Sequence, residues 1–383
     1  MTALDRLNEY SRTRLSELRE LKRQGRKLIG YTPGPYMPEE MVYACGAVPL
    51  QLIRGGDPES VAMASNYMVR FVDTFARSQI AYKMSGEDPL YDMIDLLVVP
   101  VTDQNVKAIA QSWSFFSDCE VFTYGVPRVR DDLGREYYIE SLNLLRQKLE
   151  EVTGSKMENA ALLDAINVSN RLRDLFRQLS LTRVSGSPPI SSRDFVRLNH
   201  SSFYLDPSVM IDVLESVLQE VKQQAPRQAT GPRILLTGST LAMGDIKVFD
   251  LLDRTEGAIV VEHFDEGLRH YWETVESNGD PLGALADACF MRQVPCAWAW
   301  RSRDRLDFII RLARDFSVDG ILWYQLMYRD GVDILGQRFP PILEKELGIP
   351  MLKLQSDWDR EEKGPFATRI ETFVELMEQR RAA

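Results

Sequence analysis

The chain has 383 residues, of which 44% are hydrophobic and 27% charged, with a formal net charge of -10. That length is too great for one ordinary domain and comfortable for two. The acidic balance argues against nucleic acid as a main partner, because a phosphate backbone calls for a basic face. No uninterrupted apolar run reaches the ~18 residues of a membrane span. The charged N-terminus lacks the apolar core and cleavage pattern of a signal peptide. Cys45, Cys119, Cys289 and Cys296 form no CxxC pair and no finger-like spacing with histidine. They read as free thiols that pack as small hydrophobes in a reducing cytoplasm.

In chain order, residues 1–24 are predicted to form an amphipathic helix, with Leu4, Leu7, Leu15, Leu18 and Leu21 on one stripe. A strand at 27–31 enters a loop holding Tyr31 and Tyr36. A helix then starts near Pro38, where proline and the acidic Glu39 and Glu40 suit its N-terminus, and stops at Gly46. Strands follow at 48–53, 95–101 and 120–124, the second apolar throughout as in a buried parallel strand. Residues 135–225 read mostly as helices, and the polar stretch 223–231 marks a boundary. Beyond it come a strand at 233–237, a loop at 238–245, a helix at 246–254, strands at 257–262, 318–324 and 350–355, and a helix at 368–381. Alternation of strands and helices predicts an α/β fold with parallel sheets. The chain divides into an N-terminal helix (1–26), a first α/β lobe with a helical extension (27–225) and a second α/β lobe (226–383). The lobes echo each other, since an apolar strand runs into an aspartate-bearing loop at Asp103 and again at Asp330. Ligands of open α/β sheets sit beyond the C-terminal strand ends, so the two lobes are expected to face a cleft lined by such loops.

Several residues there suit chemistry, and each has a plainer explanation. The amides of the strand-to-helix loop beginning Gly238, Ser239, Thr240 suit a phosphate or CoA contact, although neither GxGxxG nor a P-loop is present, and a tightly packed turn explains the small residues as well. Glu262 and His263, at a strand end and followed by Asp265 and Glu266, suit acid–base work. Asp103 joins them as an acid–base candidate. The same run resembles a metal set, but a polar strand-end loop accounts for it and no metal is expected. His270 lies two turns on from His263 if one helix carries both. Tyr31 and Tyr36 are placed to donate to a thioester carbonyl, or simply belong to a Pro/Gly turn. Trp298, Trp300 and Trp323 read as core or interface.

The segments 38–50 (PEEMVYACGAVPL), 238–240 with 257–262 (GAIVVE), 348–352 (GIPML), Asp357 and 368–376 (TRIETFVEL) resemble, in order, stretches of the D-component subunits of 2-hydroxyacyl-CoA dehydratases and benzoyl-CoA reductases. The resemblance runs from about residue 27 to 378 and is most specific in its last piece. It implies two Rossmann-like (flavodoxin-like) lobes around a central cleft, with helical N-terminal and middle segments. It further implies an acyl-CoA ligand, a [4Fe-4S] cluster on three cysteines between the lobes, and an ATP-dependent activator that delivers the electron. By that resemblance the cluster positions fall near Asp73, at Thr102 and near Arg329 in this sequence; none of the three is a cysteine, and no cysteine lies within a few residues of Asp73 or Arg329. Iron–sulfur clusters require thiolate ligands, so no cofactor is expected in this chain. The expected role is that of a cluster-free subunit, structural or acyl-CoA-binding, in a cytoplasmic hetero-oligomer with a cluster-bearing homologue, or paired with itself. One alternative is a catalytic subunit acting on an acyl-CoA through unusual cluster ligands or acid–base residues alone. The other is an assembly protein that no longer binds CoA.

Overall fold

The structure is a computed structural model that describes residues 2–225, 228, 230–276, 279–298 and 303–382; Trp300 lies outside them. Two four-stranded parallel sheets organise the chain. The first holds β1 (Leu28–Tyr31), β2 (Val48–Gln51), β3 (Leu96–Val101) and β4 (Glu120–Gly125) in the order β2-β1-β3-β4. The second holds β5 (Arg233–Gly238), β6 (Ala258–His263), β7 (Gly320–Leu326) and β8 (Met351–Ser356) in the order β6-β5-β7-β8. Each lobe thus repeats one topology, and the echo in the sequence is a repeat of strand order. All strands run parallel, but the direction in which successive strands are added across the sheet reverses between β1 and β3 and again between β5 and β7, and a crevice opens at such switch points.

The central strands are sealed on both faces. Residues 96–100 of β3 and all of β5 and β7 are buried, which explains their continuous apolar runs. β4 is an edge strand and largely accessible. Helices Pro58–Ala64, Thr74–Ser85 and Pro89–Met93 fill the span between β2 and β3. This stretch carries no clear amphipathic signal because Thr74–Ser85 is buried nearly all round, Arg77, Ser78 and Gln79 included. Its start depends on Asp73, whose carboxylate accepts from the Ala76 amide at 2.7 Å, an N-cap of the ordinary kind.

The helices at 159–222 do not stay with the first lobe. Leu175, Phe176, Leu198, Leu214 and Val217, together with Ala3 and Leu7 of the N-terminal helix Ala3–Arg23, share one core with Leu235, Val261, Ile321 and Trp323 of the second sheet. Leu162 and Ile166 of the same helical segment pack instead with Ile29 and Leu96 of the first. The segment is a bridge that buries apolar faces on both sheets. Among the described residues no helix is long and apolar enough to cross a membrane.

Candidate active-site cleft

The C-terminal strand ends of both lobes converge on one cleft. The first lobe contributes Thr102 to Asn105, just after β3. The second contributes Gly238 at the end of β5 and Ser239 just after it, Asp265 after β6, Arg329 to Val332 after β7, and Cys296, Trp298 and Arg305 from the segment between β6 and β7. Enclosed space is about 20 Å³, close to that of a single water. The lobes meet here, and an ion cluster stands between them.

Arg329 is the centre of that cluster. Its Nη1 donates to Asp73 Oδ2 at 3.0 Å, and its Nη2 lies 3.7 Å from Asp103 Oδ2. Both aspartates are helix caps on their other oxygen: Asp73 Oδ1 holds the Ala76 amide, and Asp103 Oδ1 holds the amides of Asn105 and Val106 at 2.9 and 3.1 Å. Thr102 Oγ1 donates to Asp103 Oδ2 at 3.2 Å. Asn105 completes the set, its Nδ2 donating to Tyr328 O at 2.9 Å and its Oδ1 accepting from the Asp73 amide at 3.2 Å. Tyr328 sits at φ 64°, a left-handed conformation that costs a non-glycine residue of order 1 kcal/mol. Burial raises the Asp73 carboxyl above its usual value, and the nearby Arg329 opposes that rise. Burial works against the Arg329 charge, but the two carboxylates more than offset it and its pKa rises. The three positions where the family resemblance places cluster ligands, Asp73, Thr102 and Arg329, therefore meet at one point. They carry a carboxylate, a hydroxyl and a guanidinium.

The other candidates divide between the cleft and the core. Glu262 is 2% exposed, and its two oxygens take Arg183 Nη1 and Nη2 at 2.7 and 2.8 Å while Ser192 donates to one of them. His263 is 1% exposed, with Nδ1 3.0 Å from Thr237 Oγ1. Burial, reinforced by Arg305 and Arg269, depresses its pKa well below normal and keeps it neutral. Neither side chain lines the cleft, so the expected acid–base role finds no opening there. Of the four residues 262–266 with polar termini in that run, Asp265 alone reaches it, held by Arg269 and by Arg305 at 3.2 Å. His270 does not share a helix with His263, because β6 ends at His263 and His270 belongs to the later turn Leu268–Tyr271.

The loop after β5 also departs from the phosphate expectation. The amide of Ser239 donates to Tyr324 O, that of Leu241 to the Glu266 carboxylate, and that of Met243 to Ile53 O. These donors are committed to packing. Gly238 has φ 152°, and a Cβ there would fall 1.5 Å from Tyr324 O, so its role is close approach of strands. Ser239 does face the cleft but its hydroxyl accepts from the Leu326 amide at 2.9 Å; Thr240 is buried. Tyr31 is buried and donates its single phenol hydrogen to Glu39, with Gln51 Oε1 3.2 Å from the same oxygen. Tyr36 is 4% exposed, and its phenol oxygen accepts from the Cys296 amide at 3.0 Å and Arg269 Nη2 at 3.2 Å. Neither tyrosine lines the cleft.

Sequence reasoning did not single out Arg305 or Cys296 as cleft residues, whereas Asp265 belongs to the strand-end run read there as suited to ligand contact or acid–base work. Cys296 is only partly buried, unlike the buried small hydrophobe expected. Glu266, the last residue of that run, is 1% exposed, and burial pushes its carboxyl up to about 7. No local pattern marks Arg305 or Cys296; only the meeting of two strand-end loops does. Among the described residues no three His, Cys, Asp or Glu side chains converge to hold a metal ion.

Two parallel-sheet lobes of one topology, meeting at their switch points over a charged cleft, define a bilobal Rossmann-like protein with its candidate site between the lobes. The family described as 2-hydroxyglutaryl-CoA dehydratase, D-component, matches residues 35–377, and the chain belongs to that family. It is 22% identical over 365 residues to the (R)-phenyllactyl-CoA dehydratase beta subunit of Clostridium sporogenes, covering 94% of each chain. It is 24% identical over 302 residues to a benzoyl-CoA reductase subunit of Thauera aromatica, covering 78% of this chain and 77% of that one. It is also 24% identical over 378 residues, 97% of each chain, to YjiM of Escherichia coli (strain K12), provisionally named a dehydratase subunit.

Proposed function

We propose that this chain is a cluster-free subunit of a 2-hydroxyacyl-CoA dehydratase or benzoyl-CoA reductase-type complex, which shapes the complex or holds an acyl-CoA while a homologous partner carries the iron–sulfur cluster. The observation that carries the reading is the ion cluster in which Arg329 meets Asp73 and Asp103: Asp73, Arg329 and Thr102, the neighbour of Asp103, stand where the resemblance places the cluster ligands. A guanidinium has no lone pair to give and is a permanent cation. The two carboxylates divide their oxygens between helix caps and that cation, and the third position is a hydroxyl. By donor chemistry these residues do not fit a [4Fe-4S] cluster, which is held by thiolates. The relatives carry subunit names, which supports a hetero-oligomer. An ATP-dependent activator, in this reading, addresses the partner, and the complex works in the cytoplasm.

The test is iron and acid-labile sulfide content of anaerobically purified protein, alone and co-expressed with a cluster-bearing homologue. The expected result is no stoichiometric iron in the isolated chain and a stable complex whose iron stays with the partner after dissociation. Iron at roughly four per isolated chain, retained through desalting, overturns the reading.

A further inference from the structure

A second enclosed space lies away from the cleft, on the flank of the second lobe. It measures about 340 Å³ and is bounded by the helix Ser192–Ser201, the N-terminal helix and the loop 242–246. One face of Ser192–Ser201 forms its long wall, with Arg193, Val196, Arg197 and His200 at helical spacing. The opposite wall is apolar and comes from Met243, Ile246 and Phe249. Such a lining, mostly apolar with a few polar groups, is the usual make-up of a small-molecule site.

The charges around it are unequal. Arg193 is neutralised by Asp250 and Asp253 at 2.9 and 2.7 Å. Asp245 also borders the cavity, but it is 3% exposed and accepts from Tyr324 and from Trp358 Nε1 at 2.8 Å. Arg197 is half-buried and makes no ion pair or hydrogen bond with any described residue; the fully exposed Asp5 feels its charge. One uncommitted guanidinium beside an apolar wall is complementary to one anionic group on an apolar body. A guanidinium pairs with a carboxylate through two parallel hydrogen bonds. The volume sits near the lower end of the roughly 300–1,000 Å³ range for ligand sites, which excludes a whole acyl-CoA.

We propose that this cavity binds a small amphipathic monocarboxylate, a medium-chain or aryl acid, with its carboxylate on Arg197 and its body against Val196, Met243, Ile246 and Phe249. The site is independent of the cleft and of the role proposed for it. Its floor is the loop that joins the lobes: on the other side of that loop Gly55 donates to Met243 O at 3.1 Å and Met243 donates to Ile53 O at 2.8 Å.

Calorimetric titration of the full chain with octanoate tests this, with octan-1-ol as the uncharged control. Two substitutions report on it, Arg197→Ala at the cation and Ile246→Asp at the rim, where Ile246 is 49% exposed and folding tolerates the change. Octanoate is expected to bind saturably, octanol about tenfold more weakly, and each substitution to weaken octanoate about tenfold with an unchanged melting temperature. Absence of saturable octanoate binding to the wild-type chain, or binding that survives either substitution unchanged, overturns the site.

Discussion

Arg329 Nη1 stands 3.0 Å from Asp73 Oδ2, an ion pair between residues 256 positions apart that joins the two lobes across their cleft. Asp73 is wholly buried and the Arg329 side chain nearly so. Removing one member of such a pair leaves the other as an uncompensated buried charge, which costs about 3–5 kcal/mol. Arg329→Met is therefore expected to lower unfolding free energy by that order. Adding Asp73→Asn, which keeps the N-cap, is expected to restore most of it. Denaturant titration of the two variants decides the matter: a double variant no better than the single one refutes the pairing.

Two carboxyls, Glu39 and Glu266, are pushed up to about 7 by burial and impose the same pH dependence; substitution isolates the share of Glu266. Burial raises its folded pKa to about 7 from an ordinary 4.5, against the opposing pull of the Leu241 amide and Arg329. Between those values the folded state holds the proton and the unfolded state releases it, so stability falls as pH rises from about 4.5 to about 7. Glu266→Gln removes this contribution. The variant is expected to gain on the wild type by up to about 3 kcal/mol on going from pH 5 to pH 8. Urea unfolding at the two pH values measures it, and an equal difference at both would exclude Glu266 as the titrating group. Comparison with the variant is needed because His200 and His270, depressed to about 4 and about 3 by burial, impose the opposite slope below pH 6.5.

Glu262 and His263 are placed for structure. Glu262→Gln weakens a buried bidentate pair with Arg183 and is expected to cost about 2–4 kcal/mol. His263→Asn is expected to be destabilising as well, since the ring packs on Phe308 at 5.3 Å. Neither should alter affinity for a CoA thioester measured under folding conditions. A variant that keeps its melting temperature and loses ligand affinity would return these residues to the site.

Gly238→Ala probes the loop after β5. The added carbon would collide with Tyr324 O, a backbone atom of the neighbouring strand, at a positive φ that alanine disfavours. A loss of more than about 3 kcal/mol, or insoluble protein, is expected. Wild-type stability on thermal melting would show that the strands separate more readily than this geometry implies.

Legibility differed with the range of the interaction. The strands β1, β3, β5 and β7 were readable because burial on both faces writes continuous apolar runs into local sequence. Asp73 and Asp103 both cap helix starts, where aspartate is favoured, a signal that is local but shared by many loop aspartates. Helix Thr74–Ser85 left little periodic trace because it is enclosed nearly all round. Glu262 and His263 looked catalytic because polar residues at a strand end usually face solvent or ligand. Arg183, 79 positions away, and Thr237 turned them into core partners instead.

The sequence by itself determined the alternation of strands and helices, the family resemblance and the absence of cysteine at Asp73, Thr102 and Arg329, because each is a local pattern or a residue identity. Only the tertiary structure decided that those three positions meet, that a guanidinium stands between two carboxylates there, and that the amides of Ser239, Leu241 and Met243 after β5 are already bonded. These depend on contacts between residues far apart in the chain, where burial removes water and a charge survives only beside its partner.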